Sequence, residues 1–286
     1  MHSVKHALLT GILLTAAQSA SALVIDSSST DGSVLAGAIL GSGVTISNVS
    51  YTGGSNQAGQ FSDGQSVLGI DSGLIMSTGS IFGAPGPNST SSYTGNIGTG
   101  GGSGDSDLNG LISQSTDDAA VLSFDFTSST DSLFFSYVFA SEEYNEYVNS
   151  SYNDVFAFFV DGQNIALAPD GQAVSINNVN CGNPYSGVGP NCDAYNNNAD
   201  GSATYNIQYD GFTDKLIASI TGLSAGLHNM KIALADAGDS ALDSAIFIEG
   251  GSFSSEDPVN VDGPGSLGLL AIGLAAFAAR RRRATQ

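Results

Sequence analysis

The chain has 286 residues, 37 of them glycine, and 27 acidic side chains against 7 basic ones give it a formal net charge of −20. That charge excludes nucleic-acid binding, because a polyanion is repelled and no Lys/Arg stripe exists to release its counterions. The glycines lack the every-third-residue period of collagen, and the length suits one large all-β domain, or two small domains, with a real core.

The first 22 residues read as a secretory signal peptide. Lys5, with His2 and His6 nearby, supplies a positive start, and Ala7 to Ala17 is an eleven-residue apolar run. Ala20-Ser21-Ala22 then gives the small-x-small pattern that signal peptidase cuts after. The run is too short to span a bilayer, which favours cleavage over anchoring. A buried N-terminal helix is the competing reading.

Residues 23–257 show no stretch with sustained i, i+3, i+4 apolar spacing. Short runs rich in Val, Ile, Phe, Tyr and Thr alternate instead with clusters of Gly, Ser, Asn and Asp. The predicted strands are Val44–Tyr51, Gly73–Ser77, Ala120–Phe126, Ser132–Ala140, Asp154–Val160, Ala173–Val179, Thr204–Tyr209, Lys215–Ile220, Asn229–Leu234 and Ala245–Glu249. Leu122, Phe124 and Phe126 alternate with Ser123 and Asp125, giving one dry face and one wet face, while Phe134 to Phe139 is apolar on both faces, as a central strand requires. The expected fold is all-β, a single large β-sandwich or jelly-roll-like domain. Residues 80–118 and 180–202 are predicted to be long Gly/Asn/Ser-rich loops across its ends.

Three acidic clusters are candidates for chemistry. Asp105, Asp107 and Asn109, followed by Gly110, match the opening of a calcium loop, with oxygen ligands at alternate positions before a turn glycine. Position twelve of that pattern is Thr116 rather than Glu, so the segment is a looser oxygen cage and not an EF-hand. Glu142 and Glu143 sit between two strong strands, the second opened by Asn153 and Asp154, and Asp236, Asp239 and Asp243 lie between two further strands. Carboxylates gathered at strand ends repel one another. They need a hard cation such as Ca2+, or they raise each other's pKa; solvated acidic loops are the plainer alternative. Cys181 and Cys192, with turn formers between them, are expected to form a disulfide in an exported chain.

Several of these segments together resemble the choice-of-anchor L domain family. They are Phe139-Ala140-Ser141-Glu142-Glu143-Tyr144 with Asn153-Asp154-Val155-Phe156, Gly73 to Gly79 with Gly86-Pro87-Asn88, the Cys181–Cys192 loop with Asn196-Asn197-Asn198, and Ala235 to Ser240 with Asp243-Ser244-Ala245. The resemblance covers about Val34 to Phe253 and implies a surface or matrix protein; it brings no reaction or ligand with it.

The last residues, 258–286, form a linker and a tail. Pro264 follows Asp262-Gly263, residues 266–279 are apolar or small throughout and predicted to be a helix, and Arg280, Arg281, Arg282 and Arg283 come next. At 1.5 Å per residue the fourteen-residue run covers about 21 Å, short of the roughly 30 Å hydrocarbon core. Positive residues stay in the cytoplasm, which leaves the domain outside. The tail resembles the PEP-CTERM sorting signal, with Pro264 standing alone where that family shows Pro-Glu-Pro. The resemblance implies export by a Gram-negative bacterium, transient retention in the inner membrane, and cleavage by an exosortase-type membrane protease. A plain stop-transfer anchor is the alternative.

With both ends removed, 27 acids face only Lys215 and Lys231, leaving 25 net negative charges. Self-repulsion on that scale calls for cations. The functional expectation is a structural or adhesive protein of the cell surface or extracellular matrix, stabilised by calcium, with extracellular polysaccharide or other surface proteins as partners. The alternative is a secreted hydrolase using loop carboxylates. Against it, Glu142 and Glu143 are adjacent and point to opposite faces of an extended backbone, Trp is absent, and His228 lies in a predicted strand with no G-x-S-x-G motif to accompany it.

Overall fold

The computed structural model describes residues 22–199 and 204–258. The signal sequence up to residue 21, and the tail with Pro264, the 266–279 run and Arg280 to Arg283, lie outside the described residues. Among those described, no helix is long and apolar enough to cross a membrane.

Fourteen strands form among the described residues, the longer ones from runs of alternating or β-branched residues. They are β1 (Val24–Ser28), β2 (Val44–Thr52), β3 (Ala58–Ser62), β4 (Gly73–Ser77), β5 (Thr116–Ser128), β6 (Ser132–Ser141), β7 (Val155–Val160), β8 (Gln163–Asn164), β9 (Val174–Ser175), β10 (Tyr195–Asn197), β11 (Gly211–Thr213), β12 (Leu216–Thr221), β13 (His228–Ala237) and β14 (Ser244–Glu249). Two short helices, α1 (Gly32–Gly37) and α2 (Gln65–Leu68), interrupt them. Neither is long enough to show a 3.6-residue period. A side-chain cap still marks the start of α1, where the Ser33 N–H donates to Asp31 Oδ1 at 2.9 Å.

The strands make two antiparallel sheets. One has eight strands in the order β1-β3-β4-β14-β6-β11-β10, with β12 also on β6; the other has six, in the order β2-β5-β13-β7-β8, with β9 on β7. The sheets face each other across one core. Phe135 and Tyr137 of β6 meet Phe158 of β7 with ring centroids 4.6 and 5.3 Å apart, and Phe253 packs on Phe124, Phe126 and Phe135. Each such ring, taken out of water, contributes about 1.5–3 kcal/mol.

Parity along β6 explains its two apolar faces. Leu133, Phe135, Tyr137 and Phe139 belong to the core between the sheets. Val138 and Ala140 belong to a second layer on the outer side, with Ala245 and Phe247 of β14 and Phe212 of β11, covered by Leu23, Leu68, Ile70 and Ile81. The predicted alternation in Leu122, Phe124 and Phe126 likewise matches the buried face of β5.

Two sequence expectations change. The predicted strand Thr204–Tyr209 is irregular, with only an isolated bridge between Pro85 and Ile207, and the predicted Ala173–Val179 strand shrinks to β9. Side chains win in the second case: Asn178 and Asn180 turn their amides onto nearby carbonyls and curl the chain. The Cys181–Cys192 disulfide is formed, with Cα atoms 4.7 Å apart, inside the range the bond allows.

Candidate functional site: an acidic end of the sandwich

Three neighbouring strands of the eight-stranded sheet stop at one level. Ser141 of β6 pairs with Ser244 of β14 on one side and with Gly211 of β11 on the other. One residue further, Glu142 is therefore flanked by Asp243 and Asp210, and its N–H still donates to the Asp243 carbonyl at 3.1 Å. The six-stranded sheet does the same at the same end. Val155 pairs with Ala235, and the Asn153 N–H donates to the Ala237 carbonyl at 2.9 Å, so Asp154 stands opposite Asp236.

Asp154 ties the two sheets together. Its Oδ1 accepts from the Ala237 N–H at 3.0 Å in one sheet, and its Oδ2 accepts from Ser244 Oγ at 2.6 Å in the other. Both anchors lie at the ends of the loop that carries Asp239. That loop turns at Gly238, whose φ of +103° suits glycine. Asp243 is held by a different loop: its Oδ2 accepts from the Gly95 N–H at 2.8 Å and the Ser80 N–H at 3.3 Å.

These acids are not solvated loops, which corrects the plainer expectation. Glu142, Glu143, Asp154, Asp210, Asp236 and Asp243 are each 0–2% exposed, and only Asp239 is half-exposed. Glu143 Oε2 and Asp236 Oδ1 are buried without a hydrogen-bond partner. Both Glu142 oxygens are buried with no hydrogen bond of full geometry, the Gln208 amide and the Tyr93 N–H being the donors close to them. Burial pushes Glu142 up to about 9, with Asp210 adding to it, and Glu143 up to about 9, with Asp154 and Asp239 adding to it. Burial also raises Asp243 to about 7 and lifts Asp154 and Asp236 above the ordinary carboxylate range. The two adjacent glutamates thus have separate neighbours, as opposite faces of extended chain require.

All six residues of the main sequence-predicted set come to this one end. Asp210 joins them and was missed; its only local signal is an Asp-Gly pair that reads as a turn. Among the described residues, no three acidic, histidine or cysteine side chains form a ready-made metal cage. The second candidate loop is differently engaged. Lys231 Nζ lies 2.6 Å from Asp105 and 2.7 Å from Asp107, while Asn109 Oδ1 accepts from the Thr116 N–H and hydroxyl at 2.8 and 2.9 Å. An ammonium group stands where the calcium expected there would sit, so that loop has its counter-charge within the chain.

Two pockets lie away from the acidic end. One is against the disulfide loop at Pro169, Val188 and Cys192, the other beside Thr52, Ser123 and Lys231, and neither is lined by any of the seven acids.

A family model for the choice-of-anchor L domain matches residues 24–254, from β1 to the residues just after β14. No curated protein and no solved structure matches the chain. The matched span takes in both sheets, the disulfide loop and all seven acids, and on that match the chain belongs to the choice-of-anchor L domain family.

Proposed function

We propose that this protein is an exported structural or adhesive component of the cell surface or extracellular matrix, whose sandwich is stabilised by calcium at its acidic end. The family and the disulfide are consistent with an exported surface protein. The observation that carries the calcium reading is the inner group, Glu143, Asp154 and Asp236, buried beside Asp239 with two oxygens unpartnered. A buried polar group left unpaired costs about 1–3 kcal/mol. Calcium takes six to eight oxygens at about 2.3–2.6 Å in irregular geometry and accepts water and carbonyl ligands alongside carboxylates. Such an ion would neutralise the group and join the two sheets through Asp154.

The same burial favours the non-enzymic reading over a hydrolase that uses these carboxylates. Acids 0–2% exposed cannot meet a polymer chain, so recognition of polysaccharide or of other surface proteins falls to the outer loops. Export through signal peptidase, transient retention in the inner membrane of a Gram-negative cell and release by an exosortase-type protease complete the proposal.

Thermal unfolding with and without calcium tests it. At a hundred times its dissociation constant, an ion that binds only the folded state adds about 2.7 kcal/mol. Asp239→Ala should remove the gain contributed by this inner ion and Asp257→Ala should keep it, while magnesium, which demands tight octahedral geometry, should substitute poorly. A melting temperature that chelation leaves unchanged sinks the calcium reading. Surface labelling of the protein in its host tests the location, and a purely cytoplasmic protein overturns it.

A further inference from the structure

We infer that the acidic end carries two cation positions rather than one, the second formed by Asp210, Glu142 and Asp243 on the outer face of the eight-stranded sheet. The inference rests on the calcium reading of the inner group and adds a site to it.

The placement follows from strand parity. Side chains two residues apart on a strand share a face. Ala140, Ala245 and Phe212 all belong to the outer layer. Glu142, Asp243 and Asp210 each lie two residues beyond one of these, at the ends of β6, β14 and β11. The ladder registers put the three acids side by side, with Glu142 in the middle. Directly opposed residues of neighbouring strands have Cβ atoms about 4.5–5.5 Å apart, and like charges there are destabilising. Glu143, Asp154 and Asp236 lie on the other side of the same sheet, toward the core.

The chain supplies this row with no positive side chain. Among the described residues the only basic groups besides His228 are Lys215, paired with Glu249, and Lys231, paired with Asp105 and Asp107. Yet Glu142 is wholly buried and neither carboxylate oxygen has a hydrogen bond of full geometry. The Gln208 amide and the Tyr93 N–H lie close enough to favour its charged form, but Gln208 Nε2 donates to Asn88 and to the Thr90 carbonyl. The acids beside Glu142 are oriented from behind. Asn88 Nδ2 donates to Asp210 Oδ1 at 2.5 Å, and the Ser80 and Gly95 N–H groups hold Asp243. The Tyr93 carbonyl accepts from the Asp243 N–H at 3.2 Å, which brings a backbone oxygen to the row's edge. Oriented carboxylates, that carbonyl and the central glutamate make an oxygen-rich position for a calcium-sized cation. The two ions would bracket the end of β6, the inner one joining sheet to sheet and the outer one joining the sheet to the 79–95 loop.

Calcium stoichiometry on the exported protein, by equilibrium dialysis, tests this. The wild type should bind two ions. Asp210→Asn and Glu142→Gln should each bind one, and Asp239→Asn should lose the other. The amide variants remove a buried like charge, so near-ultraviolet circular dichroism of the chelated proteins should show them folded. A second variant at the row keeps the test decisive where one fails to fold. Two ions retained by both Asp210→Asn and Glu142→Gln overturn the outer position. A single wild-type ion, lost in Asp239→Asn and kept in Asp210→Asn, overturns it while leaving the inner reading intact. No bound calcium overturns both.

Discussion

Gly79 shows how closely the acidic end is fitted. A Cβ on this residue would lie 1.9 Å from Asp243 Oδ2 and 2.1 Å from its carboxyl carbon. The carboxylate cannot swing away, because two backbone N–H groups hold it and it is 2% exposed. Overpacking of this kind typically costs about 1–3 kcal/mol. Gly79→Ala is therefore expected to lower stability by that amount in chemical denaturation, and a variant as stable as the wild type would show that the 79–95 loop does not pack on Asp243. At this scale the sequence was legible in part. The adjacency of Glu142 and Glu143 implied opposite faces, and their separate neighbours agree. The burial of both was not legible, since Glu-Glu before Tyr-Asn reads as a wet turn until other strands close over it.

Strand β13 carries a pH-sensitive clamp at its first residue. His228 Nδ1 lies 2.6 Å from Asp161 Oδ2, and Nε2 lies 2.9 Å from the Ser224 carbonyl, so both ring nitrogens face acceptors and the doubly protonated ring is favoured. The Ser224 carbonyl, then Asp161, raise the His228 pKa above its ordinary value. A group whose folded pKa is raised contributes stability that is fully present below the unfolded pKa, about 6.5 for histidine, and lost as pH rises through the folded value. The buried acids slope the same way, so a difference measurement isolates the histidine. His228→Gln is expected to reduce the fall in denaturation midpoint between pH 5.5 and pH 8.5; an unchanged fall would remove the clamp from the account. Among the other elements, β5, β6, β7, β13 and β14 were legible because each buries a sustained apolar face. The strands β3 (AGQFS), β10 (YNN) and β11 (GFT) were not. Their composition is that of turns, and only the ladder they complete makes them strands.

Over the whole molecule the charge is lopsided, with 25 net negative charges left in the domain once both terminal segments are removed. The intact mass of the protein from its native host is expected to begin at Leu23 and end near Asp262. Leu23 is itself buried in the outer layer beside Phe61 and Ile70, so a cut before it leaves the layer whole. A mass that retains Arg280 to Arg283 would make this a plain membrane-anchored protein. The fold class was legible from about ten short apolar runs, and the disulfide from two cysteines in a turn-rich segment of an exported chain.

By itself, the sequence determined what local spacing encodes: the all-β class, the two faces of β6, the disulfide, and the gathering of acids at strand junctions. Tertiary structure alone decided which acids meet. Asp210 lies 68 residues from Glu142 in the chain and becomes its neighbour only because Gly211 pairs with Ser141. The Asp105–Asp107 loop has the spacing of a calcium loop, yet β13 delivers Lys231 into it across 124 residues. Local pattern fixes which groups a strand end offers. Long-range pairing fixes the charge that arrives beside them, and in a domain whose only lysines are Lys215 and Lys231 that arrival separates a salt bridge from a cation site.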